Sequence, residues 1–223
     1  MNIYPTILTD SLTTLREQLE LSKSLPQVEI VQIDIIDGFF ADNLTITALD
    51  LADENFDDLK CDLHLMVDEP MDFVLEAEAI KNQVPIRAMI AQIEHMTSQQ
   101  AYLEEVKAHQ WQVGLSLNID TPLESIESGV WENLDMVQLM GNTAGIQGQN
   151  LDPRIFDKIS RLHQKIQTEV KKEIEIIIDI GVKLENAAQL VRAGADSLAI
   201  GSLIWRATDP PAIIEQLFMS IES

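Results

Sequence analysis

The sequence is poor in cysteine, in basic residues and in long apolar runs, and each shortage excludes a class of protein. Cys61 is the only cysteine among 223 residues, so no internal disulfide can form, and we expect a reducing, cytoplasmic compartment. The 15 Lys and Arg residues stand against 37 Asp and Glu, and the net charge of −22 argues against nucleic acid or an anionic membrane as a partner. No run approaches the ~20 apolar residues of a membrane-spanning helix, and no secretion signal is recognisable.

The sequence does contain a regular alternation of short β-branched runs and longer amphipathic stretches. The short runs predict eight strands, at residues 3–8, 30–36, 61–67, 86–90, 113–118, 136–140, 174–178 and 197–200. The longer stretches predict helices at residues 12–23, 71–82, 101–109, 153–170, 184–193 and 211–221. Because such alternation favours parallel βαβ units and eight strands can close on themselves, we predict a TIM (β/α)₈ barrel formed as one domain over residues 1–223.

An open, doubly wound sheet is the alternative architecture for the same alternation of strands and helices. That fold binds nucleotides through a glycine-rich turn directly after its first strand. The first predicted strand is followed instead by Thr9-Asp10-Ser11, which contains no glycine. The barrel is therefore the favoured prediction.

Three predicted strands carry side chains that can bind a metal ion or move protons. These are Asp34 on the second strand, His64 on the third and Asp179 after the seventh, all near the strand ends that carry the chemistry in barrels. Two carboxylates in one barrel mouth repel each other unless a cation lies between them. The arrangement suits proton abstraction next to a carbonyl, with one carboxylate removing the proton and the other returning it from the opposite face. Taken singly, an Asp here could cap a helix and His64 could be structural.

Glycines follow the last three predicted strands, where barrels commonly bind phosphate. Gly145 and Gly148 follow the sixth strand, Gly181 the seventh, and Gly201 with Ser202 the eighth. Since the chain is strongly acidic, we expect a phosphate to be held through backbone N–H groups and helix N-termini rather than a basic surface. Each glycine could also serve only a tight turn.

Several short motifs, in order along the whole chain, resemble those of ribulose-phosphate 3-epimerases. The family's Asp-x-His-Leu-Met-Val is matched at residues 62–67, and its Gly-x-x-Leu-Asn-x-x-Thr-Pro at residues 114–122. Further similar stretches lie at residues 5–8, 32–40, 140, 145–149, 179–182 and 201–202. The resemblance implies a barrel of the ribulose-phosphate-binding type that interconverts ribulose 5-phosphate and xylulose 5-phosphate.

The resemblance also implies roles for individual residues. Asp34 and Asp179 would be the catalytic acid/base pair, and Asp34, His64, Asp179 and Gln32 would hold a divalent cation, which could be manganese, magnesium, iron or zinc. The phosphorylated ketose substrate would contact Thr6, His64, Met140, Gly145, Gly148, Gly181, Gly201 and Ser202. We also expect a homo-oligomer.

Four positions depart from the family pattern. Gln32 and Gln92 stand where the family has histidines, and Gln147 and Ile180 stand where it has glycines. A glutamine amide oxygen can bind a hard cation but is a weaker donor than imidazole for zinc or iron. A non-catalytic or altered-specificity sugar-phosphate-binding barrel with an impaired metal site is therefore the alternative. A sugar-acid phosphate decarboxylase is disfavoured, because the lysine of its Asp-x-Lys-x-x-Asp pattern is missing after the second strand.

Overall fold

Eight parallel strands close into a barrel in the computed structural model, which describes residues 1–146 and 148–222. Each strand pairs with the next along the chain, and the last pairs with the first through Asn2 beside Ser197 and Pro5 beside Ile200. The strands are β1 (Asn2–Ile7), β2 (Ile30–Ile36), β3 (Lys60–Met66), β4 (Ile86–Gln92), β5 (Gln112–Leu117), β6 (Met136–Met140), β7 (Glu175–Asp179) and β8 (Ser197–Ile200). The predicted TIM barrel is confirmed. Gln147, one of the positions that depart from the family pattern, lies outside the described residues.

Helices cover the outside of the barrel and differ from the prediction mainly at their ends. They are α1 (Leu12–Ser24), α2 (Pro70–Ile80), α3 (Gln99–Ala108), α4 (Ile155–Lys165), α5 (Leu184–Ala193), α6 (Ser202–Trp205) and α7 (Pro210–Glu222). The predicted helix 153–170 ends as an α-helix at Lys165 and continues as a π turn, Ile166–Val170. The helix α6 was not predicted, because four residues are too few to display a 3.6-residue period. No helix in the described ranges has the length and apolar character to cross a membrane.

Alternation along β2 separates the structural face of the strand from its chemical face. Ile33 and Ile35 point outward and belong to the apolar layer between the strands and the helices. Gln32 and Asp34 point into the barrel, where they are almost fully buried. The same alternation along β3, β6 and β7 brings further buried polar side chains into the barrel interior, namely Asp62, His64, Gln138 and Asp179.

The N-terminal end of the barrel interior is filled by a charged network. Asp62 on β3 is fully buried and accepts two hydrogen bonds from the guanidinium of Arg87 on β4. Arg87 also lies over the ring of Tyr4, whose hydroxyl donates to Glu175. Burial and the neighbouring Glu175 raise the pKa of Tyr4 well above its usual range, so its hydroxyl stays protonated.

Candidate functional site

A cavity of about 410 Å³ opens where the C-terminal ends of the strands meet. Asp34 and Asp179 line its inner part. The walls include seven of the residues predicted to contact substrate, namely Thr6, Met140, Gly145, Gly148, Gly181, Gly201 and Ser202. The other predicted residues, Gln32 and His64, are fully buried and contact the two carboxylates. The structure therefore brings all the sequence-predicted site residues to one end of the barrel.

Asp34, His64 and Asp179 converge although they come from three different strands. His64 Nδ1 lies 3.1 Å from Asp34 Oδ1 and 3.7 Å from Asp179 Oδ2. One potential ligand atom from each residue lies within 4.8 Å of the others. These three residues form a candidate metal-binding cluster.

Two glutamine side chains reach the same point. Gln32 Nε2 donates to Asp34 Oδ1 at 2.9 Å and to Asp179 Oδ2 at 3.0 Å, and so bridges the two carboxylates. Gln138 Nε2 donates to Asp179 Oδ2 at 3.1 Å and lies 3.2 Å from His64 Nδ1. Both side chains are fully buried, and neither Oε1 atom has a hydrogen-bond partner in the described part of the chain.

The sequence analysis missed Gln138, because Gln138 belongs to no recognised motif and only its apolar neighbours distinguish it. It lies in the middle of β6, between Val137 and Leu139, where an apolar residue would be expected. An amide buried in such a strand is costly unless it is hydrogen-bonded, so a partner deep in the fold could have been predicted, but not its identity.

Gln92 determines which nitrogen of His64 carries the proton. We assign its amide so that Oε1 accepts from His64 Nε2 at 3.2 Å and from Ser116 Oγ at 2.9 Å, because Nε2 then donates to Glu94 Oε2 at 2.9 Å. The reverse orientation would point the amide N–H groups at other donors. With the His64 proton on Nε2, the lone pair of Nδ1 faces the carboxylates. Gln92, at the position where the resemblance implies a histidine, thus orients His64.

The surroundings of Asp179 raise its affinity for a proton. Burial, and after it the negative charge of Asp34, raise the pKa of Asp179, whereas His64 and the Gln32 hydrogen bond lower it. Together these effects bring the pKa to about 7. A carboxyl group with a pKa near neutrality can both release and accept a proton at physiological pH.

The backbone is strained directly after Asp179. Ile180 has φ 71° and its N–H donates to Asp179 Oδ1 at 2.7 Å. A β-branched residue with positive φ is a rare and costly conformation, and such strain tends to occur at functional sites. Gly181 follows with φ 77°, and a Cβ there would lie 2.4 Å from the backbone nitrogen of Leu151. Ile180 therefore keeps the backbone shape expected of the family glycine at the cost of strain.

Two cationic side chains line the same cavity, and sequence reasoning missed both. Lys183 follows β7 and Arg206 follows α6. The guanidinium nitrogens of Arg206 lie 3.4 and 3.5 Å from the position that a Cβ would take at Gly148. Lys183 Nζ donates to Asn150 Oδ1 at 2.9 Å. Two cationic groups therefore line the cavity in which we predict a phosphate held by backbone N–H groups.

The helix-capping interpretation of the aspartates does not apply to this site. Asp34 lies within β2, and the helix after Asp179 begins only at Leu184, with Lys183 as its cap residue. Asp37, three residues after Asp34, lies in a turn, where its Oδ1 accepts from the backbone N–H groups of Phe39 and Phe40.

Comparison with known proteins points to one family. The model of the ribulose-phosphate 3 epimerase family matches residues 2–205. The ribulose-phosphate 3-epimerase of Bacillus subtilis is 30% identical over 220 residues, which cover 97% of this chain and 98% of that protein. The Escherichia coli enzyme of the same name is 29% identical over 218 residues, covering 96% and 93%.

Solved structures with the same fold are more distant in sequence. The 3-hexulose-6-phosphate synthase of Salmonella typhimurium has a TM-score of 0.66 at 15% identity and covers 100% of this chain and 99% of its own. Orotidine 5'-phosphate decarboxylase from Pyrococcus horikoshii has a TM-score of 0.66 at 14% identity, covering 98% and 99%. Such identities establish the barrel fold alone. The family match over nearly the whole chain goes further: this chain belongs to the ribulose-phosphate 3 epimerase family and is an enzyme of the isomerase class.

Proposed function

We propose that the chain interconverts ribulose 5-phosphate and xylulose 5-phosphate by moving a proton at C3, with Asp34 and Asp179 as the acid/base pair. One observation carries the proposal. The two carboxylates reach the inner cavity from β2 and β7, which are not neighbours in the barrel, and a single amide group bridges them. Inversion at a carbon requires removal of the proton from one face and delivery to the other, so two separate groups are needed.

Each carboxylate performs one of the two proton transfers. Asp34 removes the C3 proton as a carboxylate, which leaves a planar enediolate, and Asp179 delivers its own proton to the opposite face. In the reverse direction the two groups exchange roles. In the absence of a cation, burial and the charge of Asp34 raise the pKa of Asp179 and favour its protonated form.

We propose that a divalent cation is held by Asp34, His64 and Asp179 together with Gln32. The fit is supported by the lone pair of His64 Nδ1, which faces both carboxylates, and by the unpartnered Oε1 of Gln32. A cation bound there supplies charge stabilisation to the enediolate oxygens. Because carboxylate and amide oxygens predominate among these donors, manganese or magnesium is favoured over zinc or iron.

The substrate phosphate would lie at the opposite side of the cavity from the carboxylates. Backbone N–H groups at Gly148, Gly181, Gly201 and Ser202 are proposed to hold it, and Lys183 and Arg206, which line the same space, add positive charge in a strongly acidic protein. Thr6 and Met140 would contact the sugar, and Gly145 would belong to the loop that covers it.

An NMR assay in D₂O with ribulose 5-phosphate and added Mn²⁺ or Mg²⁺ tests the proposal. An epimerase forms xylulose 5-phosphate and exchanges the C3 hydrogen for deuterium. A sugar-phosphate binder, the alternative suggested by Gln32 and Gln92, would perturb the substrate resonances without exchange. If none of the ketopentose phosphates tested exchanges its C3 hydrogen, the chain is a sugar-phosphate binder and not an epimerase. The single domain over residues 1–223, the homo-oligomer and the cytoplasmic location stay predictions.

A further inference from the structure

Gln138 has a buried, unused acceptor atom at the candidate cation site. Its side chain is fully buried in the middle of β6, and its amide nitrogen touches Asp179 Oδ2 and His64 Nδ1. Its Oε1 has no hydrogen-bond partner among residues 1–146 and 148–222. A buried amide oxygen without a partner is uncommon in proteins and calls for an explanation.

The atoms that Gln138 approaches are all electron-pair donors. Asp179 Oδ2 accepts from the amides of both Gln32 and Gln138. His64 Nδ1 presents a lone pair because its other nitrogen donates to Gln92. Together with Asp34 Oδ1, which accepts from Gln32, these atoms make three acceptors that would repel one another. The two NH₂ groups relieve that repulsion in the place where a cation would otherwise do so.

A half-turn of each amide about its last side-chain bond exchanges the nitrogen and the oxygen with little other movement. After that exchange, the Gln138 oxygen would stand about where its nitrogen now is, 3.1 Å from Asp179 Oδ2 and 3.2 Å from His64 Nδ1. Ligand atoms that surround one hard cation octahedrally at 2.0–2.1 Å are roughly 3 Å from their neighbours. The spacing therefore suits a shared cation as well as it suits the hydrogen bonds.

We infer that Gln138 is an additional cation ligand through Oε1, and that Gln138 and Gln32 form an amide switch that stabilises the site in two states. Without a cation, their NH₂ groups bind the carboxylates; with a cation, both amides turn their oxygens toward it. This inference rests on the proposed cation site and deepens it. If the amides switch in this way, the protein can lose and regain its cation without collapse of the site. Because the switch presents amide oxygens, the site selects cations that prefer oxygen ligands.

Titration with Mn²⁺, followed by the EPR signal of free Mn²⁺, tests the role of Gln138 without reference to activity. The unaltered protein should bind one Mn²⁺ per chain. Gln138→Leu, which keeps the size of the side chain and removes the oxygen, should weaken Mn²⁺ binding by at least about tenfold. Gln138→Glu should restore binding, because it supplies an oxygen again, and a merely structural role would not give that rescue.

A matched control variant is Gln99→Leu, which removes another buried glutamine amide, one that contacts Ser125 and Glu127 rather than the cation site. It should leave Mn²⁺ affinity unchanged, and circular dichroism should show that each variant is folded. If the unaltered protein binds Mn²⁺ and Gln138→Leu binds it equally well, Gln138 is not a ligand while the proposed cation site stands. If Gln138→Leu does not fold, the test depends on Gln138→Glu. The inference is then overturned if Gln138→Glu binds Mn²⁺ more weakly than the unaltered protein does. If the unaltered protein binds no Mn²⁺, both the inference and the proposed cation site are wrong.

Discussion

Replacing Ile180 by glycine and by alanine tests the backbone strain beside Asp179. At most positions alanine is more stable than glycine by about 0.5–1 kcal/mol, because glycine loses more conformational freedom on folding. At φ 71° a side chain with a Cβ costs about 1–2 kcal/mol. At the midpoints of these ranges the strain term exceeds the entropy term, so we expect Ile180→Gly to be more stable than Ile180→Ala by about 0.75 kcal/mol.

The comparison is made between the two variants because both remove the same partly buried side chain. Ile180 packs against the apolar cluster of Ile36, Met66, Met140 and Ala144, and loss of these contacts would obscure a comparison with the unaltered protein. Urea unfolding measures the difference directly, and in a chain of this size it should appear as a difference in Tm of about 2 °C.

The same pair of substitutions at Leu44 is the control. Leu44 is exposed and is not among the residues with positive φ, so the glycine variant should be the less stable one there. If glycine is less stable than alanine at position 180 as well, Ile180 carries no strain and the reasoning is wrong.

Four further predictions concern the candidate site. Asp34→Asn and Asp179→Asn should each lower epimerisation by at least about 10²-fold in the D₂O assay, and one of them should still exchange the hydrogen of a single epimer; full activity in either would contradict the two-carboxylate mechanism. Gln32→His should bind Zn²⁺ more tightly by isothermal titration calorimetry, because imidazole is the better donor, and unchanged affinity would count against position 32 as a ligand. Arg206→Ala should raise KM about tenfold with little change in kcat if the guanidinium binds the phosphate, while an unchanged KM would remove Arg206 from the site. In a chelator, Asp179→Asn should unfold at a higher urea concentration than the unaltered protein, and by more at pH 8 than at pH 5. The unfolded chain releases the Asp179 proton near pH 4, whereas the folded protein holds it up to about pH 7, so the unaltered protein loses stability as the pH rises from about 4 to about 7. Asparagine avoids that loss, and a difference independent of pH would refute the raised pKa.

Local patterns in the sequence were enough to predict the barrel and the three chemical side chains. Hydrophobic periodicity depends on neighbouring residues, so the eight strands and six of the seven helices could be placed without knowledge of the fold. Parallel strands bring their C-terminal ends together, and this rule alone placed Asp34, His64 and Asp179 in one mouth.

Only the tertiary structure decided how these side chains are connected. The amide of Gln32 meets Asp179 across 147 positions of sequence, and Gln138 meets His64 across 74. The backbone conformation of Ile180 and the placement of Arg206 beside Gly148 depend in the same way on distant segments. Such contacts leave no periodic trace in the sequence, because they are fixed by which strands close the barrel and by how deep along each strand a residue lies.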